Sequence, residues 1–194
     1  MANLIILEGV SRTGKSTITK ILSDKFGFRH ISIKNKSPEF ISNFPDFYHG
    51  MHVMLNEFIK TFPEETFILD RSFLSELVYS RAFNRKTHVT EDDFIFNMLT
   101  ENNFLLVNLV TTHSEYLNRI PKDRKIYTFN EFDTQKELFR FYFNHYLAST
   151  NFPNSKQKNS QFLEIDTNKN TIDEVVQKIE KSLVKINILN TYTV

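Results

Sequence analysis

The sequence contains no cysteine, which excludes a disulfide framework, a zinc–thiolate centre and a thiol nucleophile, and agrees with a reducing compartment. It also lacks a dominant charge. Its 24 Lys and Arg against 23 Asp and Glu leave a net +1, so no whole-molecule field favours nucleic acid or an acidic membrane. No apolar run approaches the roughly 18 residues of a membrane span, and the first residues read as a core strand rather than a signal peptide. These absences describe a soluble protein of the cytoplasm with neither nucleic acid nor membrane as partner. No repeat and no linker divides the chain. Its 194 residues amount to one domain, 1–194, long enough to bury a substantial core. Glycine is scarce too, with four in the whole chain, which gives weight to where they stand.

Two of the four lie in LEGVSRTGKST, residues 7–17. From Gly9 to Ser16 the spacing is G-x-x-x-x-G-K-[ST], a turn whose backbone N–H groups face inward around an anion. In such a loop Gly9, Ser11, Arg12, Thr13, Gly14, Lys15, Ser16 and Thr17 surround the phosphates of a nucleoside triphosphate. Lys15 reaches the outer phosphates and the Ser16 hydroxyl meets Mg²⁺. The flanks support this over an ordinary strand-to-helix turn. Asn3 to Leu7 is a short apolar run suited to a buried parallel strand. Ile18, Ile21, Leu22 and Phe26 then line one helix face, which Gly27 ends. The helix N-terminus is aimed at the anion.

Along the rest of the chain, apolar runs predict strands at 3–8, 29–33, 66–70, 104–110 and 161–165. Helical periodicity covers 15–26, 46–62, 72–84, 92–102, 130–148 and 172–186, and the polar stretch 151–160 reads as a surface loop. This alternation predicts an α/β fold, a doubly wound five-stranded parallel sheet with helices on both faces. Ligands of such sheets gather beyond the carboxyl ends of the strands. Functional residues are therefore expected at 9–16, 34–39, 70–72, 111–113 and 166–168. At the third of these, Asp70-Arg71-Ser72 follows a strand. A carboxylate there can hold Mg²⁺ together with Ser16, and Arg71 can grip a phosphate with two donors. The plain alternative is a helix cap with a solvated arginine.

The loop resembles L-E-G-V-D-R-A-G-K-S-T of eukaryotic-type thymidylate kinases, and DRSFLSELVY is similar to the D-R-[YFS]-x-x-S-x-x-[AV]-Y segment of those enzymes and their phage relatives. Phe162 to Asp166 with Ile172 to Val175 resembles the family's last strand and helix. The resemblance implies the fold of P-loop nucleoside monophosphate kinases and transfer of the ATP γ-phosphoryl to a deoxynucleoside monophosphate, a pyrimidine such as dTMP or dUMP. It implies a homodimer, and the host cytoplasm if the gene is viral. It makes Arg12 the residue that stabilises the transferring phosphoryl, with Asp70 and Arg71 ordering metal and acceptor phosphate. The loop after the last strand, Asp166-Thr167-Asn168, would contact adenine. Ser11 departs from the pattern, where the family carries an acidic residue near the acceptor's sugar.

The choice of acceptor stays open at this level. A nucleoside 5′-hydroxyl needs a general base, and the resemblance would put a Glu just after the second strand. Here Lys34 and Lys36 stand there instead, with no carboxylate before Glu39. Lysines favour a monophosphate, whose charge they can meet, while Glu39 leaves room for a deoxynucleoside kinase. A nucleotide-binding module without transfer activity is the third reading. Tyr48, on the helix expected to cover the acceptor, offers a flat face for its base. Residues 117–128 alternate basic residues with helix breakers and resemble the lid of these kinases, with Arg119 and then Arg124 as phosphate contacts.

Overall fold

The strands form because their apolar residues are buried on both sides. Leu4 and Ile6 enter one core cluster and Ile5 and Leu7 the other, as the alternation of side chains along a central strand requires. The computed structural model describes residues 2–33, 46–90, 102–121, 126–149 and 160–190. Five strands, β1 (Asn3–Glu8), β2 (Arg29–Ser32), β3 (Thr66–Asp70), β4 (Asn103–Val110) and β5 (Ser160–Asp166), make one sheet in the order β2-β3-β1-β4-β5. Every pairing is parallel. From β1 the chain crosses towards β2, and from β4 it crosses the other way to β5. The winding therefore reverses between β1 and β4, where a doubly wound sheet opens a crevice at its carboxyl edge.

Among the described residues the helices are α1 (Lys15–Phe26), α2 (Phe47–Thr61), α3 (Phe73–Ala82), α4 (His113–Arg119), α5 (Phe129–Ser149) and α6 (Ile172–Lys185). α1 and α6 cover one face through Ile18, Leu22, Val175, Val176, Ile179 and Leu183. α2, α3 and α5 cover the other with Tyr48, Ile59, Phe73, Leu74, Phe139 and Tyr142. Between α1 and α6, Lys25 reaches the buried Glu180 at 2.7 Å. α6 opens with a capping box. Thr171 accepts from the Glu174 N–H at 3.3 Å, and Glu174 accepts from the Thr171 N–H at 2.7 Å, satisfying two otherwise orphaned donors. α1 has no such side-chain cap, so its first N–H groups stay available to a ligand.

The expected α/β sheet is present, with strand edges within a residue or two of the sequence reading. Ser160, expected in a loop, already belongs to β5. α4 was not expected. It is seven residues long with only Tyr116 buried, too short for a periodic pattern, and its one local signal is Thr112 capping the Glu115 N–H. The expected helix at 92–102 and the segment 34–39 lie outside the described residues, apart from Asn102 in the former. Among the described residues no helix is long and apolar enough to cross a membrane.

Candidate active site

At the carboxyl edge of β1 the chain turns from Glu8 into Gly9, whose φ is 124°. A Cβ here would stand 2.1 Å from the Leu109 carbonyl oxygen of β4, so no side chain fits. Arg12 and Gly14 follow with φ of 67° and 89°, and these left-handed residues curl the loop so that α1 begins at Lys15. Lys15 is buried. Its ammonium donates to the carbonyls of Gly9 at 2.9 Å and Val10 at 2.6 Å, and to the Thr13 hydroxyl at 3.1 Å. Burial, reinforced by the positive Arg71, holds its pKa well below the ordinary lysine range, with Glu8 and Asp70 opposing.

The Asp70 carboxylate, at the end of β3, accepts a hydrogen bond from the Ser16 hydroxyl at 2.5 Å. A hydroxyl and a carboxylate brought together at a helix N-terminus form a hard-oxygen pair that fits Mg²⁺, with phosphate and water completing its shell. Arg71, at φ 74°, donates to the Ser75 hydroxyl at 3.0 Å and reaches Gly9 O at 3.4 Å and Ser11 Oγ at 3.5 Å. Its guanidinium lies 5.3 Å from the centre of the Tyr79 ring, a cation–π contact.

Two cavities open along this edge. One, of about 480 Å³, is lined by Ser11, Arg12, Gly14, Lys15, Ser16, Thr17, Ser32, Ile33, Asp70, Arg71 and Arg119. The other, of about 310 Å³, is lined by Arg12, Thr13, Gly14 and Ile18, by Arg119, and by Thr167, Asn170, Thr171, Ile172 and Val175 of the β5–α6 turn and α6. Arg12, Gly14 and Arg119 belong to both, so the two form one trough. The first cavity sets four cationic side chains against the single carboxylate of Asp70, a surplus that suits phosphate groups. The second combines aliphatic walls with a polar turn.

Arg119 fastens the boundary. Its guanidinium donates to Glu115 at 2.8 Å, to the Arg12 carbonyl at 3.3 Å, and to the Thr167 hydroxyl and carbonyl at 3.2 and 3.1 Å. It ends α4, so the first residues of the expected lid segment are helical. Gly9 shapes the loop from behind rather than lining the trough. Tyr48 is buried in the core cluster that α2 shares with α3 and lines neither cavity. Lys34 and Arg124 lie outside the described residues.

The sequence reading missed Glu8. It is fully buried, and its carboxylate accepts from the Ser72 N–H at 2.7 Å, the Ser72 hydroxyl at 2.6 Å and the Ser75 hydroxyl at 2.6 Å. Its signal was there: a lone carboxylate closing an otherwise apolar core strand is costly unless partnered. Ser32, Asn170, Thr171 and Ile172 were also missed, because small and aliphatic lining residues carry no motif.

No protein-family model matches the sequence, and no curated protein matches it. Solved structures do. The YorR protein of Bacillus subtilis, determined in complex with phosphorylated GDP, is 24% identical at a TM-score of 0.69 over 95% of this chain and 96% of its own. Deoxyadenosine kinase from M. mycoides with bound dATP is 19% identical at 0.58, covering 93% and 98%. Thymidylate kinase from Candida albicans is 19% identical at 0.57, covering 95% and 91%. The chain has the fold of the P-loop nucleotide and nucleoside kinases.

Proposed function

We propose that this protein transfers the γ-phosphoryl group of ATP to a deoxynucleoside monophosphate, a pyrimidine such as dTMP or dUMP, giving the diphosphate. The observation that carries the reading is the convergence of Arg12, Lys15, Arg71 and Arg119 on one cavity beside the Ser16–Asp70 pair. The triphosphate occupies the loop, where Lys15 exchanges its Gly9, Val10 and Thr13 partners for phosphate oxygens. The donor base rests in the second cavity against Ile18 and Val175. Arg71, which also lines the first cavity, takes the acceptor phosphate, and Arg12 offsets the charge growing on the moving phosphoryl. Ser16 and Asp70 would hold Mg²⁺, which when bound neutralises charge on the β- and γ-phosphates. Catalysis is positioning and electrostatics, with no covalent intermediate.

A monophosphate suits the cavity better than a nucleoside. Asp70 is its one carboxylate among the described lining residues and accepts from Ser16, while Glu8 is sealed from it. Once Asp70 is given to the metal with Ser16, no second carboxylate is left among the described lining residues to take a hydroxyl proton. The pyrimidine and the deoxy sugar follow from the resemblance of DRSFLSELVY to thymidylate kinases, as does a homodimer. The solved structures span both acceptor types, a deoxyadenosine kinase and a thymidylate kinase.

The test is ADP release from ATP and Mg²⁺ against a panel of nucleosides and nucleoside monophosphates. Turnover is expected with pyrimidine deoxynucleoside monophosphates. Turnover with nucleosides alone would overturn the reading in favour of a nucleoside kinase with Glu39 as base, and ADP release without an acceptor would indicate an ATPase. Arg12→Ala is expected to lower kcat by about 10³-fold with little change in ATP affinity.

A further inference from the structure

Glu8 is a buried carboxylate that touches neither cavity, yet its hydrogen bonds lead to the residue assigned to the acceptor phosphate. Three donors converge on its two oxygens: the Ser72 N–H, the Ser72 hydroxyl and the Ser75 hydroxyl. That is the pattern of an ionised carboxylate, which only accepts. Because the Ser75 hydrogen is committed to Glu8, the Ser75 oxygen presents a lone pair to Arg71 Nη1, which donates to it at 3.0 Å. Arg71 also sits at φ 74°, a backbone conformation that a non-glycine residue keeps only when its surroundings hold it. Those surroundings are the Arg71 N–H bond to Leu7 O at 3.1 Å and, one residue on, the Ser72 grip of Glu8. Strand β1 therefore holds both the backbone and the head group of Arg71.

We infer that Glu8 is a positioning residue which, through Ser72 and Ser75, fixes the Arg71 guanidinium in the orientation that receives the acceptor phosphate. This rests on the assignment of the first cavity to donor and acceptor phosphates. Glu8 makes no described contact with the Lys15 ammonium, whose partners are Gly9, Val10 and Thr13. Its charge still acts on Lys15 through space, so the variant that separates acceptor from ATP is the one that keeps Glu8 ionised, at Ser75.

Glu8→Gln keeps the volume and removes the charge. Its amide would turn a donor on Ser75, whose own hydrogen would then face Arg71. The expected result is an acceptor KM raised about tenfold, a smaller rise in the ATP KM from the lost charge near Lys15, and little further loss of acceptor affinity on adding Arg71→Ala, since both changes break one unit. Ser75→Ala cuts only the link to Arg71 and should reproduce the effect on acceptor KM. Equal rises in both KM values, or effects that simply multiply with Arg71→Ala, would overturn the inference.

If the wild-type protein transfers phosphate to no acceptor, the functional reading fails and the geometric claim is still decided by arginine labelling. Phenylglyoxal modification followed by mass spectrometry should rise in Glu8→Gln selectively at Arg71, with Arg29 and Arg85 unchanged. Uniform labelling, or none at Arg71, would reject it.

Discussion

Gly9 and Glu8 are adjacent and constrained for opposite reasons, one because a side chain is forbidden and the other because a side chain is required. A Cβ on residue 9 meets backbone rather than a movable side chain. Gly9→Ala is therefore expected to cost about 4 kcal/mol or more, or to prevent folding. Gly27→Ala, at φ 70° in open space, should cost about 1 kcal/mol. Urea denaturation of the two variants separates the cases. Glu8 also makes a prediction about pH. Burial raises its pKa above the ordinary 4.5, outweighing the hydrogen bonds of Ser72 and Ser75 and the charge of Arg71. The folded protein thus binds this proton more tightly than the unfolded chain does. The stability linked to that proton is full below the unfolded value and is lost as pH rises through the higher folded value. Wild type should lose stability relative to Glu8→Gln as pH climbs above the ordinary carboxylate value of 4.5, measured by urea midpoints. The opposite slope would mean that the three donors outweigh burial. Of these two residues the sequence displayed Gly9 through its motif, whereas the lone carboxylate closing an apolar strand signalled only that Glu8 needed a partner, and not which one.

Among the elements, α4 brings Arg119 to both cavities while being the least stable by itself. Seven residues cannot sustain a helix in water, and its hold comes from the Thr112 cap, the buried Tyr116 and the bonds of Arg119 to Arg12 and Thr167. Thr112→Ala removes the cap, which is worth about 1 kcal/mol. That change should speed amide hydrogen exchange across residues 113–119 and raise the ATP KM several-fold while leaving the β1 amides protected. Equal protection in both proteins would show that Arg119 alone anchors the helix. The long helices were legible because their apolar faces repeat every three or four residues over three turns or more. α4 was not, since Arg119 is held by Thr167 and Arg12, 48 and 107 positions away.

At the scale of the molecule, the site exists because the sheet reverses its winding between β1 and β4, bringing the phosphate loop, the end of β3 and the β5–α6 turn to one edge. A ligand bridging these parts binds only the folded chain. Saturating MgATP at about 100 times its Kd should therefore add about 2.7 kcal/mol, read as a rise in melting temperature of about 5–10 °C. Lys15→Ala should abolish most of that shift, and a full shift in this variant would remove Lys15 from the phosphate site. By itself the sequence determined the strands, the long helices and the tight glycine–lysine loop, and pointed to Arg12, Lys15 and Arg71 as its cationic residues, because each is written in local spacing: apolar periodicity, or a fixed interval between glycines and lysine. Only the tertiary structure decided that Tyr48 is core, that Arg119 ties the loop to Thr167, and that Glu8 stands behind Arg71. Those facts depend on side chains that meet far along the chain, 48 positions apart for Arg119 and Thr167 and 64 for Glu8 and Ser72, distances that no local pattern records.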